Sequence, residues 1–106
     1  MIKETVYLGH DNAIDLVLRD GRTAVDLSGA TRVVLRDLEC VAILDSETSP
    51  TAFYWGEGGG KLTLRLGQEP VPAGTYTYHV IVYDPANTDG VVWDRIRLSF
   101  EALCVV

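Results

Sequence analysis

The sequence predicts an all-β protein: an antiparallel β-sandwich of about seven to eight strands in one domain spanning residues 1–106. Three observations support this prediction. Turn residues recur at intervals of roughly ten positions, short segments between them alternate apolar and polar side chains, and no apolar pattern of helical period persists for long. The chain is long enough for one hydrophobic core, so a second domain is not expected.

The central strand is predicted in the segment 72–84, which opens with the turn residues Pro72, Ala73 and Gly74. β-Branched and aromatic residues then occupy almost every position, a composition typical of a strand inside a sheet. Alternation divides its side chains between two faces, so one row is expected to face the core. The two rows are Tyr76, Tyr78, Val80 and Val82, and Thr77, His79, Ile81 and Tyr83.

Seven further segments are predicted as strands, and the first of them is expected at a sheet edge. They are 2–8, 12–20, 31–38, 39–45, 53–55, 61–66 and 91–101. Alternation assigns the inward side chains of three segments as Ile14, Leu16, Leu18, Leu62, Leu64, Leu66, Ile96, Leu98 and Phe100. In 31–38, Val33 and Leu35 are expected to face inward, and Arg32, Val34 and Arg36 to face solvent. Leu27 is expected to fill one end of the core, and 84–90 is predicted as a long hairpin connection.

The triplet Gly74-Thr75-Tyr76 predicts that the sandwich is immunoglobulin-like. Such folds place a tyrosine at the start of the penultimate strand, and its hydroxyl returns to nearby backbone, so Tyr76 is expected to be structural. Cys40 and Cys104 are not expected to form the disulfide of antibody domains, because Tyr78 stands where the second cysteine would follow. With no signal peptide recognised at the N-terminus, both cysteines are expected to be free thiols.

The acidic balance of the chain restricts its partners. Fifteen acidic and nine basic residues give a net charge of −6, which repels nucleic-acid phosphates and anionic membrane surfaces. Neither nucleic acid nor a membrane is therefore an expected partner. The 47% of hydrophobic residues is high for a small β-domain, so part of its apolar surface is expected to contact another protein.

No motif predicts catalysis, a cofactor or a metal site. The glycine-rich segment 56–61 lacks the hydroxyl that a phosphate loop needs after Lys61, and a strand follows it where that loop needs a helix. The segment 84–90 lacks the closing glutamate of a calcium loop, which favours a turn. His10 and His79 lie in different segments without a third ligand, and no nucleophile motif is present. We therefore expect a protein that is not an enzyme.

The candidate functional surface is the outward face of the last two long strands, because aromatic and arginine side chains favour the buried centres of interfaces. Its residues are His79, Ile81, Tyr83, Trp93, Arg95 and Arg97. Parity alone leaves an alternative open, in which another segment of the same domain, such as 53–55, covers this face. Further candidates are Tyr54 and Trp55, and the apolar C-terminal residues Leu103, Val105 and Val106, which need a partner to be shielded from aggregation.

Four short segments resemble the small β-sandwich domain at the N-terminus of phage baseplate upper proteins and related tail components. In that family a polar residue precedes a strand ending in Asp-Gly, a connector of Val-Asp-Leu, a small residue and Gly-Ala follows, and an Ala-Gly-x-Tyr corner begins a later strand. The matching segments are 11–21, 25–31, 72–76 and 80–84, which are spread over most of the chain.

The resemblance implies a virion structural protein, assembled in the host cytoplasm, that docks tail, baseplate or fibre components. The family pattern contains no catalytic residues. Its implied partners are other phage tail or baseplate proteins, and a homo-oligomer or another symmetric assembly is expected. The alternatives are a capsid decoration protein and a carbohydrate- or host-surface-binding module, in which Tyr54, Trp55 or Trp93 stacks on sugar rings.

Overall fold

A computed structural model describes residues 2–20, 22–38, 43–56 and 61–102. All regular secondary structure in these ranges is β, as predicted, and none of the described residues forms a helix that could cross a membrane. The strands are β1 (Ile2–Leu8), β2 (Ile14–Val17), β3 (Arg19–Asp20), β4 (Thr23–Ala24), β5 (Arg32–Asp37), β6 (Ile43–Asp45), β7 (Phe53–Trp55), β8 (Lys61–Leu64), β9 (Gly74–Asp84) and β10 (Asn87–Ala102).

Eight of the strands in the described ranges form two sheets that share one hydrophobic core. The large sheet has the order β1-β10-β9-β5-β6, the small sheet has the order β2-β8-β7, and β3 and β4 form a separate ribbon. Core residues come from both sheets, for example Leu35 and Val80 from the large sheet and Leu16 and Leu62 from the small one. The predicted edge position of β1 is confirmed, but β1 pairs with β10 in parallel, so the prediction of purely antiparallel sheets is wrong at this edge.

Strand alternation identifies the core well. All nine residues assigned inward in the second, sixth and last predicted segments are buried, and so are Val33, Leu35 and Leu27. On β9, Tyr78, Val80 and Val82 face the core, which selects the first of the two predicted rows. β2, β8 and the last part of β10 have one face on the core and the other on solvent, which is the condition for a clean alternation.

Val34 is an exception, because it was expected to face solvent and is only 1% exposed. It lies on the face of β5 away from the core, between Ile81 of β9 and Asp45 of β6. Neighbours on both adjacent strands shield a small side chain in the middle of a sheet even without a second layer. Burial of Val34 is therefore a consequence of the central position of β5.

One predicted strand is divided, and one connection is tighter than predicted. The segment 12–20 divides into β2 and β3, because β3 pairs with β4 in a short ribbon and the Val25 N–H donates to the Leu18 carbonyl at 2.9 Å. The Asp84 carboxylate accepts hydrogen bonds from the backbone N–H groups of Ala86 and Asn87, at 2.9 and 2.8 Å. This bonding, with Pro85 in the second turn position, closes a tight turn, so β10 begins at Asn87 and the predicted long connection is wrong.

The predicted role of Tyr76 is confirmed. Its hydroxyl donates a hydrogen bond to the Pro72 carbonyl at 3.0 Å and so fixes the corner that leads into β9. Two positions along, Tyr78 is fully buried, and its hydroxyl has no hydrogen-bond partner among the described residues. Burial raises the pKa of the Tyr78 phenol well above its ordinary value, and the nearby Asp37 carboxylate adds to the shift.

Removal of the two hydroxyls should change stability in opposite directions. We expect Tyr76→Phe to lower the free energy of unfolding by about 1 kcal/mol, because a hydrogen bond is lost. Tyr78→Phe should raise it by about 1 kcal/mol, because an unpaired buried hydroxyl is removed and the ring is kept. Urea unfolding of the two variants checks both signs. Destabilisation by Tyr78→Phe would contradict the prediction.

Candidate functional site

The structure brings five of the predicted site residues onto one surface. His79, Ile81 and Tyr83 of β9 lie on the face of the large sheet away from the core, and Arg95 and Arg97 of β10 lie opposite His79 and Thr77. We call this surface the outer face. Its members, by register, are Lys3, Thr5 and Tyr7 of β1, Arg32, Val34 and Arg36 of β5, Ile43 and Asp45 of β6, Thr77, His79, Ile81 and Tyr83 of β9, and Val92, Arg95, Arg97, Ser99 and Glu101 of β10.

Trp93 is the predicted member that the structure places elsewhere. Val92 lies opposite Ile81 and Asp94 lies opposite Val80, so Trp93 is an extra residue in a β-bulge. The bulge changes the alternation of β10, and Trp93 packs against the core. The prediction that Trp93 points outward with Arg95 is therefore wrong.

Tyr54 and Trp55 lie in the small sheet, on β7, and do not cover the outer face. Trp55 packs against the core, and its indole N–H donates to the Ala30 carbonyl at 3.3 Å. Tyr54 is 68% exposed. The alternative prediction, in which residues 53–55 of the same domain cover the outer face, is thus wrong. Leu103, Val105 and Val106, together with Cys40 and Cys104, lie outside the described residues.

The middle of the outer face is apolar. Val34 and Ile81, which lie opposite each other, are 1% and 7% exposed, and neither belongs to the core cluster. Val92, opposite Ile81, extends this apolar area and is 56% exposed, and Ile43, opposite Arg36, is 49% exposed.

Gly90 is required where β10 passes beside this apolar area. Its φ is 82°, and a Cβ added there would lie 2.6 Å from Cγ2 of Ile81 and 2.9 Å from Cε2 of Tyr83. Ile81 and Tyr83 therefore lie against the backbone of β10, in space that the Cβ of any residue other than glycine would occupy. The glycine therefore permits this close approach of β10 to β9.

An ion-pair cluster holds Tyr83 in place. Arg32 pairs with Asp45 and Glu47 (Nε to Glu47 Oε1, 2.9 Å), and its guanidinium lies over the Tyr83 ring, 4.9 Å from the centroid. The hydrogen bond from Arg32 holds the pKa of Asp45 below its ordinary value. A depressed folded pKa stabilises the fold above the unfolded pKa of about 4, and that contribution is lost as the pH falls.

The other basic residues of the outer face have no such partner. Arg36, His79 and Arg95 lie side by side on three adjacent strands, and Lys3 lies opposite Arg97 in the neighbouring pair. Among the described residues, no carboxylate forms an ion pair with Lys3, Arg36, Arg95 or Arg97. Sequence patterns did not identify Lys3 and Arg36 as site residues, because only the order of strands shows that they adjoin β10 and β9.

Other features of the described residues offer less chemistry. No group of three or more His, Cys, Asp or Glu residues there could hold a metal ion. His10 is exposed in the turn after β1, remote in the topology from His79. A surface groove of about 420 Å³, beside Tyr54, is lined by Pro50, Thr51, Ala52, Phe53, Tyr54, Thr63 and Arg65. No protein-family model matches the chain, and no curated protein shows a significant sequence match to it.

Proposed function

We propose that this chain is a non-enzymatic virion structural protein of a phage or prophage, which docks a tail, baseplate or fibre protein on its outer face. One observation carries the proposal. The outer face has an apolar middle, formed by Val34, Ile81 and Val92, next to Tyr83 and surrounded by arginines. Tyrosine and arginine around a desolvated apolar centre are typical of the residues that supply most of the binding energy in protein interfaces.

The strand order supports an immunoglobulin-like fold. In that fold, strands A, B, E and D form one sheet, and strands C, F and G, with C′ in variable-type domains, form the other. Here β1, which corresponds to strand A, pairs instead with β10 of the large sheet. The small sheet β2-β8-β7 fits the first set, and β10-β9-β5-β6 fits the second. Tyr76 then occupies the start of strand F, where the corner tyrosine belongs, and its bond to Pro72 agrees with that role. Sandwiches of this kind present sheet faces and edges for docking.

The assignment to a phage particle is supported by the resemblance of segments 11–21, 25–31, 72–76 and 80–84 to the domain of baseplate upper proteins. Other tail or baseplate proteins are accordingly the partners we propose, and the virion, assembled in the host cytoplasm, is the location. A capsid decoration protein would use the outer face in the same way. The identity of the bound protein distinguishes these two placements.

The carbohydrate-binding alternative has less support. Of the three aromatic residues that are candidates for stacking on sugar rings, Trp55 and Trp93 pack against the core and lie in different sheets. Only Tyr54 is largely exposed, beside Thr63 and Arg65 in the surface groove. One exposed ring gives a single stacking contact, whereas a module that binds sugar chains generally needs several such contacts to gain affinity.

The proposed function predicts that a charge placed in the middle of the outer face abolishes docking and leaves the fold intact. The purified protein is mixed in turn with the purified products of neighbouring genes, and the mass of each mixture is measured by light scattering. One mixture should give a complex, and Val92→Asp should weaken it by at least about tenfold. Tyr54→Asp, at an even more exposed position of the small sheet, is the matched control and should bind as the unchanged protein does. Equal binding by the Val92 variant, or no complex with any partner, would refute the proposal.

A further inference from the structure

The basic residues of the outer face that form no ion pair within the described part of the chain indicate which kind of partner surface this face accepts. We call Lys3, Arg36, His79, Arg95 and Arg97 the basic strip. Side chains directly opposite on adjacent strands approach to about 5 Å between Cβ atoms, and like charges at such positions are destabilising. Lys3 and Arg97 are related in this way, and Arg36 and Arg95 lie on the two sides of His79, one on each adjacent strand. The fold thus keeps a repulsion that a carboxylate from outside would remove.

Among the residues that the structure describes, no carboxylate forms an ion pair with a residue of the strip. Asp45 pairs with Arg32, which begins β5, whereas Asp37 lies at the other end of that strand. Glu101 lies opposite Tyr7, four residues beyond Arg97 along β10. The strip also adjoins the exposed apolar side chains of Val92 and Ile43, so it forms one side of the surface proposed for docking.

The remainder of the same chain is strongly acidic. Four of its nine basic residues, Lys3, Arg36, Arg95 and Arg97, lie in the strip, so the other five accompany fifteen acidic residues. Some of these acids meet at the turn between β9 and β10. There Glu47, Asp84, Pro85 and Thr88 line a groove of about 320 Å³, and Asp89 is exposed on the adjacent start of β10. We call Glu47, Asp84 and Asp89 the acidic edge.

We infer that the basic strip binds the acidic edge of a second copy of this chain. The inference rests on the proposed docking function and names the occupant of the basic strip, at one side of the outer face. Charge complementarity between the two surfaces supports it, because a strip that forms no ion pair with any described residue and an acidic edge with Arg32 as its described basic member occur on one molecule. The overall charge of −6 disfavours a phosphate-bearing occupant, which the rest of the molecule would repel.

The same charges restrict the symmetry of the contact. The strips of two copies cannot oppose each other, because like charges would then face each other. A contact in which the strip of each copy meets the acidic edge of the other is either isologous, which closes as a two-fold dimer, or heterologous, which repeats from copy to copy into a ring or a filament.

The test is the mass of the protein in solution as a function of concentration and ionic strength, measured by sedimentation velocity. At low salt the protein should associate with increasing concentration, and high salt should weaken the association by at least about tenfold, since exposed charges are screened. Two variants should each remain monomeric: Arg95→Glu with Arg97→Glu in the strip, and Glu47→Lys with Asp89→Lys in the acidic edge. Asp84 is kept, because its carboxylate forms the turn.

Mixing of the two variants makes the test independent of misfolding. Each variant retains one native surface and carries one reversed surface, so the mixture should associate although neither variant does alone. Lys61→Glu with Arg65→Glu reverses the same number of charges on the small sheet and should associate as the unchanged protein does.

The inference is overturned if the unchanged protein is monomeric at every concentration at low salt. Association that persists in the strip variant, or salt-dependent binding of duplex DNA by a protein that stays monomeric, overturns it as well. A monomer that still forms a Val92-dependent complex with a tail protein would refute self-association alone and leave the proposed function standing.

Discussion

Replacement of Phe100 by alanine should lower the free energy of unfolding by about 3–5 kcal/mol, as for other buried aromatic residues. Phe100 is buried near the end of β10, opposite Val6 of β1 and Gly74 of β9. Its ring makes edge contacts with Tyr76 and Tyr78, at centroid distances of 5.9 and 6.5 Å. The substitution removes both ring contacts and leaves a cavity where three strands meet. Domains of this size have total stabilities of about 5–15 kcal/mol, so the loss is a large part of the whole.

Urea unfolding of Phe100→Ala, with the midpoint and slope fitted together, measures this loss. Phe100→Leu is the first control and should cost less, because most of the buried apolar volume remains. Val92→Ala on the same strand is the second control and should change stability by no more than about 0.5 kcal/mol, because the side chain is exposed. A loss below about 1.5 kcal/mol for Phe100→Ala would contradict the prediction. It would show that the aromatic contacts contribute little more to the free energy of unfolding than an exposed side chain does.

The sequence predicted the core of this fold better than its strand pairing. Leu16, Leu64 and Leu98 could be assigned inward, because each lies in a strand with one buried and one solvated face. The direction of β1 could not be predicted, since a strand has the same alternation whether its partner is parallel or antiparallel. The bulge at Trp93 was also not apparent, because one inserted residue changes the face of a side chain without changing composition.

The candidate site likewise contains residues that alternation predicts and residues that only the strand order adds. Arg95, Arg97 and His79 could be assigned to one face from alternation alone, because they belong to two strands joined by a hairpin. Arg36 and Lys3 joined them only once the strand order placed β5 beside β9 and β1 beside β10. The clustering of basic residues on the outer face therefore results from which strands pair with each other, and local sequence patterns do not reveal it.

Gly67 is a further residue whose importance only the structure shows, because it marks a crossing of two loops. Its carbonyl accepts a hydrogen bond from the Gly9 N–H at 2.7 Å, which ties the loop after β8 to the turn after β1. A Cβ added at Gly67 would collide with the carbonyl oxygen of His10 and would lie 2.9 Å from the carbonyl oxygen of Tyr7. Both atoms belong to the backbone and cannot rotate away as a side chain could.

Gly67→Ala should therefore lower the free energy of unfolding by more than about 3 kcal/mol, as expected when backbone has to move and a buried hydrogen bond is lost. Gly29→Ala is the matched control: no described atom lies within 4 Å of the added Cβ, and the residue is exposed in a turn. It should be neutral or stabilising by up to about 1 kcal/mol, because alanine restricts the unfolded chain. Thermal and urea unfolding of the two variants provide the measurement. If the free energies of unfolding of Gly67→Ala and Gly29→Ala differ by less than about 1 kcal/mol, the two loops move apart at little cost. The loop crossing then does not fix β1 relative to the small sheet.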